Sequence, residues 1–400
     1  MTKVTNLKSV SEFIRTGKTP PTKEIKYFNG DIQWFTPGDL DKNKYLDKSA
    51  RTLTQDSFID KKAARFPSGT LLVACIGDIG KVGITTRESS SNQQITGIKP
   101  NSDVDVNYLY YWFRQSRKAI QHVANNAVVP ILNNRSLEQI KIPVPPLAEQ
   151  RKIAAILDAA DSLRQKDQQL IDHYTTLSQS LFLEIFGDPV TNPMGWEKLP
   201  FCESLNDIVG GKSVGGEGRL IRENEIAVIK ISAVTSGVFK STEYKVVDRN
   251  ELPEVLVHPQ KGDLLFSRAN TREMVGATCI VDKGYEHLFL PDKIWRLDLK
   301  PSKASNWYIK FLLSHEGFRE NLRKVATGTS GSMLNISKAK LKQLKTPLPP
   351  IKLQNQFAKR IQAIEAQKQQ AQASLEKSNE LFNGLLQRAF SGELTGRKAA

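Results

Sequence analysis

Gly211-Lys212-Ser213 has the ending of a phosphate-binding loop, in which backbone N–H groups cradle phosphates and the lysine reaches over them. The glycine such a loop requires five residues earlier is Asn206, and the matching Gly17-Lys18-Thr19 lacks the pattern too. A turn used twice, able to touch a backbone phosphate, accounts for both. Glu243-Tyr244-Lys245 has the carboxylate-x-lysine spacing of a metal-dependent nuclease strand, but no acidic partner in a compelling setting precedes it, and a surface strand is the better account. His122, His173, His258, His287 and His315 stand apart from one another and from Cys75, Cys202 and Cys279, so no zinc-ligand spacing exists. With no nucleophile triad and no dinucleotide fingerprint, the chain reads as a binder without chemistry of its own: no catalytic residue and no metal ligand is assigned.

What it would bind follows from charge. The 400 residues carry a formal net charge of +15 spread along the chain, more than solubility requires, and an anionic partner follows, nucleic acid ahead of membrane. Neither a basic amphipathic helix nor a lipidation signal supports a membrane. The start of the chain lacks the apolar core of a signal peptide, and the longest apolar run, Leu71 to Ile76, is strand-sized. Together with three scattered cysteines and no disulfide framework, this predicts a cytoplasmic protein.

The elements that position these residues occur twice. Pro145-Pro146-Leu147-Ala148-Glu149-Gln150 opens a long helical pattern, and Pro349-Pro350-Ile351-Lys352-Leu353-Gln354 opens another 204 residues later, with Gln150, Ala154, Leu181 and Phe186 matching Gln354, Ala358, Leu385 and Phe390 without a gap. Proline suits the start because a first turn has no use for its missing N–H. In the first helix Ile153, Ala160, Tyr174 and Leu181, with Ile156, Leu163, Leu170 and Leu177, recur at heptad spacing, interrupted by Asp167. In the second, Ile361, Leu375, Phe382 and Ala389 alternate with Ile364, Ala371 and Leu385, interrupted by Lys368 and Ser378, and Asp167 is placed to pair with Lys368. Some forty residues make a helix of roughly 60 Å, longer than a small domain is wide, which favours packing of the helices on each other over packing of each on its own domain.

Ahead of each helix the same order of strand, turn and helix signals returns. Ile32 and Leu40 match Ile226 and Val234, Gly69-Thr70-Leu71-Leu72 matches Gly262-Asp263-Leu264-Leu265, Val82-Gly83-Ile84-Thr85 matches Val275-Gly276-Ala277-Thr278, and Asn107-Tyr108 matches Asn306-Trp307. The first-half helix from Asn107 carries Leu109, Trp112, Phe113, Ile120 and Val123 on or near its apolar side. What matches is scaffold; the loops differ. After one matched strand the first copy reads Cys75-Ile76-Gly77-Asp78-Ile79 and the second Arg268-Ala269-Asn270-Thr271-Arg272. Arginine suits the paired acceptors of guanine and asparagine the donor-acceptor pair of adenine; the same residues also suit a solvated polar loop, and the sequence leaves both open. With the other basic and polar residues of the two halves, the candidate DNA-contacting set is Lys18, Thr36, Lys81, Gln93, Gln94, Asn133 and Arg135 in the first, and Lys212, Arg219, Arg222, Lys230, Arg268, Asn270, Arg272, Lys293 and Asn335 in the second.

Gly30-Asp31-Ile32-Gln33-Trp34, Gly262-Asp263-Leu264-Leu265, the two Pro-Pro helix starts and the ending Phe390-Ser391-Gly392-Glu393-Leu394 together resemble the specificity subunits of type I restriction-modification systems, over nearly the whole chain. The resemblance implies a mixed α/β (α+β) protein with a tandem internal repeat, in which two similar target recognition domains are separated by two long antiparallel, coiled-coil-like helices: residues 1–144, helix 145–188, residues 189–348, then helix and C-terminal tail 349–400. It implies a non-catalytic subunit that reads a bipartite site in double-stranded DNA, joins two adenine methyltransferase subunits and, in the full enzyme, motor-nuclease subunits. S-adenosylmethionine, ATP and Mg2+ belong to those partners, and no cofactor is expected in this chain. Two other accounts remain: a free-standing metal-dependent nuclease using Glu243 and Lys245, and a coiled-coil scaffold for acidic proteins.

Overall fold

The long helices run from Leu147 to Phe186 and from Ile351 to Ser391. Each starts where the sequence places it: the carbonyl of Pro146 accepts from Gln150 N–H, and that of Pro350 from Gln354 N–H. The first ends at Gly187, whose φ of 72° is the left-handed conformation that glycine reaches without a Cβ clash. The computed structural model describes residues 3–124, 130–328 and 333–394. It divides into two compact units, residues 1–168 with 373–400, and residues 169–372. The division passes through both long helices, so each unit owns one mixed α/β region and one segment of each helix.

In unit 1 the main sheet has the order Ser11–Thr16, Ile95–Pro100, Leu71–Ala74, Val82–Thr85 and Tyr45–Leu46. A second sheet sets Phe28–Phe35 between antiparallel Arg51–Leu53 and parallel Ser89–Ser91. Strand Lys3–Asn6 pairs with Lys141–Val144. Unit 2 repeats the plan. Its main sheet runs Leu205–Gly210, Ile294–Leu299, Leu264–Ser267, Thr278–Ile280, its second sheet sets Ala227–Ile229 between antiparallel Tyr244–Val246 and parallel Leu288–Phe289, and Lys198–Pro200 pairs with Lys345–Pro347. Helix Val106–Val123 of unit 1 corresponds to two helices in unit 2, Asn306–Ser314 and Glu316–Val325, broken at His315. Leu109, Trp112, Phe113 and Ile120 are buried as their spacing predicts, while Val123 at the helix end is 51% exposed.

The helix segments close each core. In unit 1, Ile153, Leu157 and Ala160 pack with Phe382, Leu386 and Ala389 around Tyr108, Tyr111 and Phe113. Buried Lys44 reaches the Asp158 carboxylate, which also accepts the Tyr111 hydroxyl at 2.6 Å. In unit 2, the ring of Phe186 lies 4.8 Å from Tyr308 and 5.2 Å from Phe357.

Two expectations about the helices are corrected. Leu163, Leu170 and Leu177 are not in the seam; they are 44%, 45% and 40% exposed, and Leu157 and Phe182 are buried in their stead. The apolar residues of this helix cover more than one face, and the aromatic side chains of the mixed α/β regions select which face turns inward. Asp167, expected to pair with Lys368, accepts instead from the Ser378 hydroxyl at 2.7 Å, with both residues buried. Among the described residues no helix is long and apolar enough to cross a membrane, and Cys75, Cys202 and Cys279 are free thiols.

Candidate nucleic-acid interface

Gly17 and Gly211 explain why the Gly-Lys-Ser/Thr turn recurs. A Cβ at Gly17 would lie 2.2 Å from the carbonyl oxygen of Asn92, and one at Gly211 1.7 Å from that of Leu290, distances no side chain tolerates. The turn is therefore a close crossing of two chain segments. The next residues exploit it: Thr19 donates its hydroxyl to Gln93 Oε1, and Ser213 donates to Asp292 Oδ1. Lys18 and Lys212 stand exposed beside these bonds, Lys18 with its ammonium on the carbonyl of Lys61 at 2.7 Å.

In unit 2 this edge gathers several candidates around Arg268. Its Nε donates to the Asp292 carbonyl at 2.7 Å, one terminal nitrogen to Asp292 Oδ2 at 2.8 Å and the other to Asn335 Oδ1 at 2.9 Å. Its backbone N–H binds the carbonyl of Lys293 at 3.0 Å, and the guanidinium stands 5.6 Å from the Trp295 ring centroid. Arg268 is thus half-buried and held on every side. Burial works to raise the Asp292 carboxyl, but the hydrogen bonds from Ser213 and Arg268, with the charge of Arg268 and Lys293, outweigh it and hold the group below the usual carboxylate range. Asn270 lies on the short strand Ala269–Asn270, which pairs with Leu334–Asn335, and its side-chain oxygen accepts from the N–H of Thr271. Lys212, Arg268, Asn270, Lys293 and Asn335 therefore share one edge.

Unit 1 builds the same edge with other side chains. Cys75 N–H binds the Gln94 carbonyl at 2.7 Å, and the Cys75 carbonyl accepts from Leu132 N–H at 2.8 Å, as that of Arg268 accepts from Ile336 at 2.9 Å. Lys18, Gln93, Gln94 and Asn133 are brought together here. Gln94 Oε1 accepts from Asn92, and Asn133 caps the helix Asn134–Gln139 by accepting from Ser136 N–H at 2.8 Å, which commits its oxygen to the backbone. Arg135 is exposed in the first turn of that helix.

The remaining candidates lie elsewhere, most of them engaged. Thr36 gives its N–H and hydroxyl to Asp39 within a turn. Lys81 pairs with Asp78 at 2.6 Å, Lys230 with Glu243 at 3.8 Å and Arg272 with Glu320 at 3.2 Å. Arg219 makes two bonds of 2.7 Å to Glu225 and a third to Glu217. That bonding, with the Arg222 N–H, pulls the Glu225 carboxyl down to about 2. Arg222 is exposed beside it. These ion pairs were invisible to a count of basic residues, because such a count leaves out the acidic side chains that the fold sets beside them, Glu320 on the helix Glu316–Val325 among them. Asp292 and Ser213 are the residues of the edge that sequence reasoning missed; the signal was present in the match of Asp292 to Gln93, displaced by 199 residues like Asn306 to Asn107. The carboxylate of Glu243 accepts from Ser232 at 2.7 Å as well as pairing with Lys230, and among the described residues no group of acidic, histidine or cysteine side chains is arranged to hold a metal ion.

Residues 2–172 and 205–377 match the family described as the type I restriction modification DNA specificity domain. The chain is 28% identical over 257 residues to the MjaIX specificity subunit of Methanocaldococcus jannaschii, an alignment spanning 59% of this chain and 58% of that protein, which is less than two thirds of its length. It is 26% identical over 325 residues to the EcoKI specificity subunit of Escherichia coli K12, covering 75% of this chain and 68% of that one. In fold it is similar to the S subunit of a type I restriction-modification system from M. genitalium, with a TM-score of 0.64 at 14% identity over 98% of this chain and 96% of the other.

Proposed function

Because the chain belongs to the type I restriction-modification DNA specificity family, matched over both halves, we propose that it is the sequence-reading subunit of such an enzyme, binding a bipartite site in double-stranded DNA with one recognition domain for each part. The observation that carries this is the repeated edge: one backbone frame, built twice, offers Gln93 and Gln94 in unit 1 and Arg268, Asp292 and Lys293 in unit 2. A frame held constant while its displayed side chains change is what reading two different short sequences demands. Residues 1–144 and 189–348 are the two readers, and the helices at 145–188 and from 349 onward set the number of base pairs between the two parts.

Phosphate attraction comes from exposed Lys18, Lys212 and Arg222 and from the general positive charge. Base readout comes from the two edges. The ends and outer faces of the long helices dock two adenine methyltransferase subunits, which motor-nuclease subunits join in the full enzyme. Methyl transfer and cleavage, with S-adenosylmethionine, ATP and Mg2+, reside in those partners, and the assembly works in the cytoplasm.

The test is methylation-sensitive sequencing of DNA from cells expressing this chain with its partner methyltransferase. The expected result is adenine methylation confined to one bipartite sequence with a fixed spacer; methylation at unrelated sequences, or the same pattern without this chain, would overturn the proposal.

A further inference from the structure

The hydroxyl of the Gly-Lys-Ser/Thr turn meets an amide in unit 1 and a carboxylate in unit 2. We infer that residues 93 and 292 are one equivalent base-reading position, at which Gln93 selects adenine in one half of the site and Asp292 selects cytosine in the other. This deepens the recognition role proposed above and rests on it.

The equivalence is set by backbone, not by side-chain type. The close crossings at Gly17 and Gly211 pin the strand ends against residues 91–92 and 290. One residue beyond positions 93 and 292, the carbonyls of Gln94 and Lys293 receive the N–H groups of Cys75 and Arg268. Whatever occupies 93 or 292 is therefore delivered from the same frame.

The chemistry then differs in a defined way. With Thr19 on its Oε1, Gln93 keeps its amide N–H groups and a further lone pair on the oxygen, the donor-acceptor pair that adenine matches at N7 and N6. Asp292 offers acceptors only. Ser213 occupies one direction of Oδ1 and Arg268 one direction of Oδ2, which leaves a free lone pair on each oxygen, suited to the N4 amino group of cytosine. The side chain of Asp292 is 41% exposed, and Gln93 is exposed, so both can be reached by a groove edge.

A carboxylate approaching DNA would ordinarily be repelled. Here Arg268 neutralises it in place, Lys293 follows it in sequence, and Lys212 precedes the Ser213 whose hydroxyl it accepts. Arg268 does not depend on the carboxylate alone, since it also donates to the Asp292 backbone carbonyl and to Asn335. A change of the Asp292 side chain therefore leaves the guanidinium anchored, and the reading role separates from a scaffold role.

The test uses the full-length chain with its partner methyltransferase and maps methylated sites for Asp292→Gln, Asp292→Asn and Gln93→Asp. Asp292→Gln is expected to replace C·G by A·T at one position of one half-site and to lower methylation of the original sequence by at least about tenfold, while Gln93→Asp makes the converse change at one position of the other half. Asp292→Asn, close to isosteric, covers the case in which Asp292→Gln does not fold; it is expected to lose discrimination at that same position. Retention of the original sequence at its original extent by the folded variants overturns the inference, as does an even loss at every position of both halves. A wild-type chain that directs no bipartite methylation overturns the recognition role itself, an outcome distinct from variants that read as wild type does.

Discussion

Gln150 and Gln354 make the same three hydrogen bonds in two different units. Gln150 Oε1 accepts from Asp105 N–H at 2.9 Å while its Nε2 donates to the carbonyls of Asp103 and Pro145 at 2.8 Å each. Gln354 Oε1 accepts from Ser305 N–H at 2.9 Å, and its Nε2 donates to Lys303 at 3.0 Å and Pro349 at 2.8 Å. Both side chains are fully buried. The glutamine that follows each Pro-Pro start is a fastener, joining the first turn of a long helix to the loop that opens the helix of its recognition domain.

Removing either fastener should unfold one unit selectively. Gln150→Ala strands three backbone groups at about 1–3 kcal/mol each where water does not reach, so a loss of about 3 kcal/mol is expected in unit 1, and Gln354→Ala should do the same to unit 2. Fluorotryptophan NMR during urea unfolding separates the two, with Trp34 and Trp112 reporting on one unit and Trp295 and Trp307 on the other.

The Asp167–Ser378 bond gives a second stability test. Ser378→Ala takes the 2.7 Å donor from a buried carboxylate and should cost about 2 kcal/mol. Combining it with Asp167→Leu removes the orphaned charge and should restore or exceed wild-type stability. Thermal melts of the two single variants and the double variant decide it.

DNA affinity should fall steeply with salt. Six phosphate contacts would lower it by about a thousandfold between 50 and 200 mM. Lys18→Ala and Lys212→Ala should each reduce the slope of log K against log salt by about one. A flat response to salt rules out the electrostatic part of the binding account.

Arg268 and Arg272, equal candidates by residue type, should behave differently. Arg268→Ala dismantles the bonds to Asp292 and Asn335, and should relax one half-site while leaving the other intact. Arg272, exposed and paired with Glu320, should tolerate alanine with less than a twofold change in methylation of the same sequence, which quantitative sequencing of both variants measures.

The cysteines provide a pH test. Burial pushes the thiol of Cys75 up to about 11 and that of Cys279 up to about 12, from an ordinary value of 9.0. A folded-state value raised above the unfolded one contributes stability that is complete below pH 9 and is lost as pH rises through 11 to 12. Alkylation at pH 8 should therefore label half-exposed Cys202 in the folded chain and spare the other two until urea is added, with mass spectrometry assigning the sites.

The duplication, the Pro-Pro helix starts, the strand at Leu71 and the buried face of the helix from Asn107 were legible in the sequence, because each depends on spacing between near neighbours or on a glycine that the backbone demands. Gly17 and Gly211 show this well: the repeat was evident from residue types, and its reason, a crossing too close for a Cβ, emerged from residues far along the chain. Tertiary structure decided the rest. It chose Leu157 and Phe182 over Leu163, Leu170 and Leu177 for the seams, since an apolar set wider than one face leaves that choice to the side chains packed against it. It gave Asp167 a serine in place of a lysine, and turned Arg219, Lys230 and Arg272 toward carboxylates. It also joined Arg268 to Asn335 across 67 residues and to Asp292 across 24. A guanidinium's partners are set by which strands become neighbours, a contact between distant parts of the chain that no local pattern of residue types encodes.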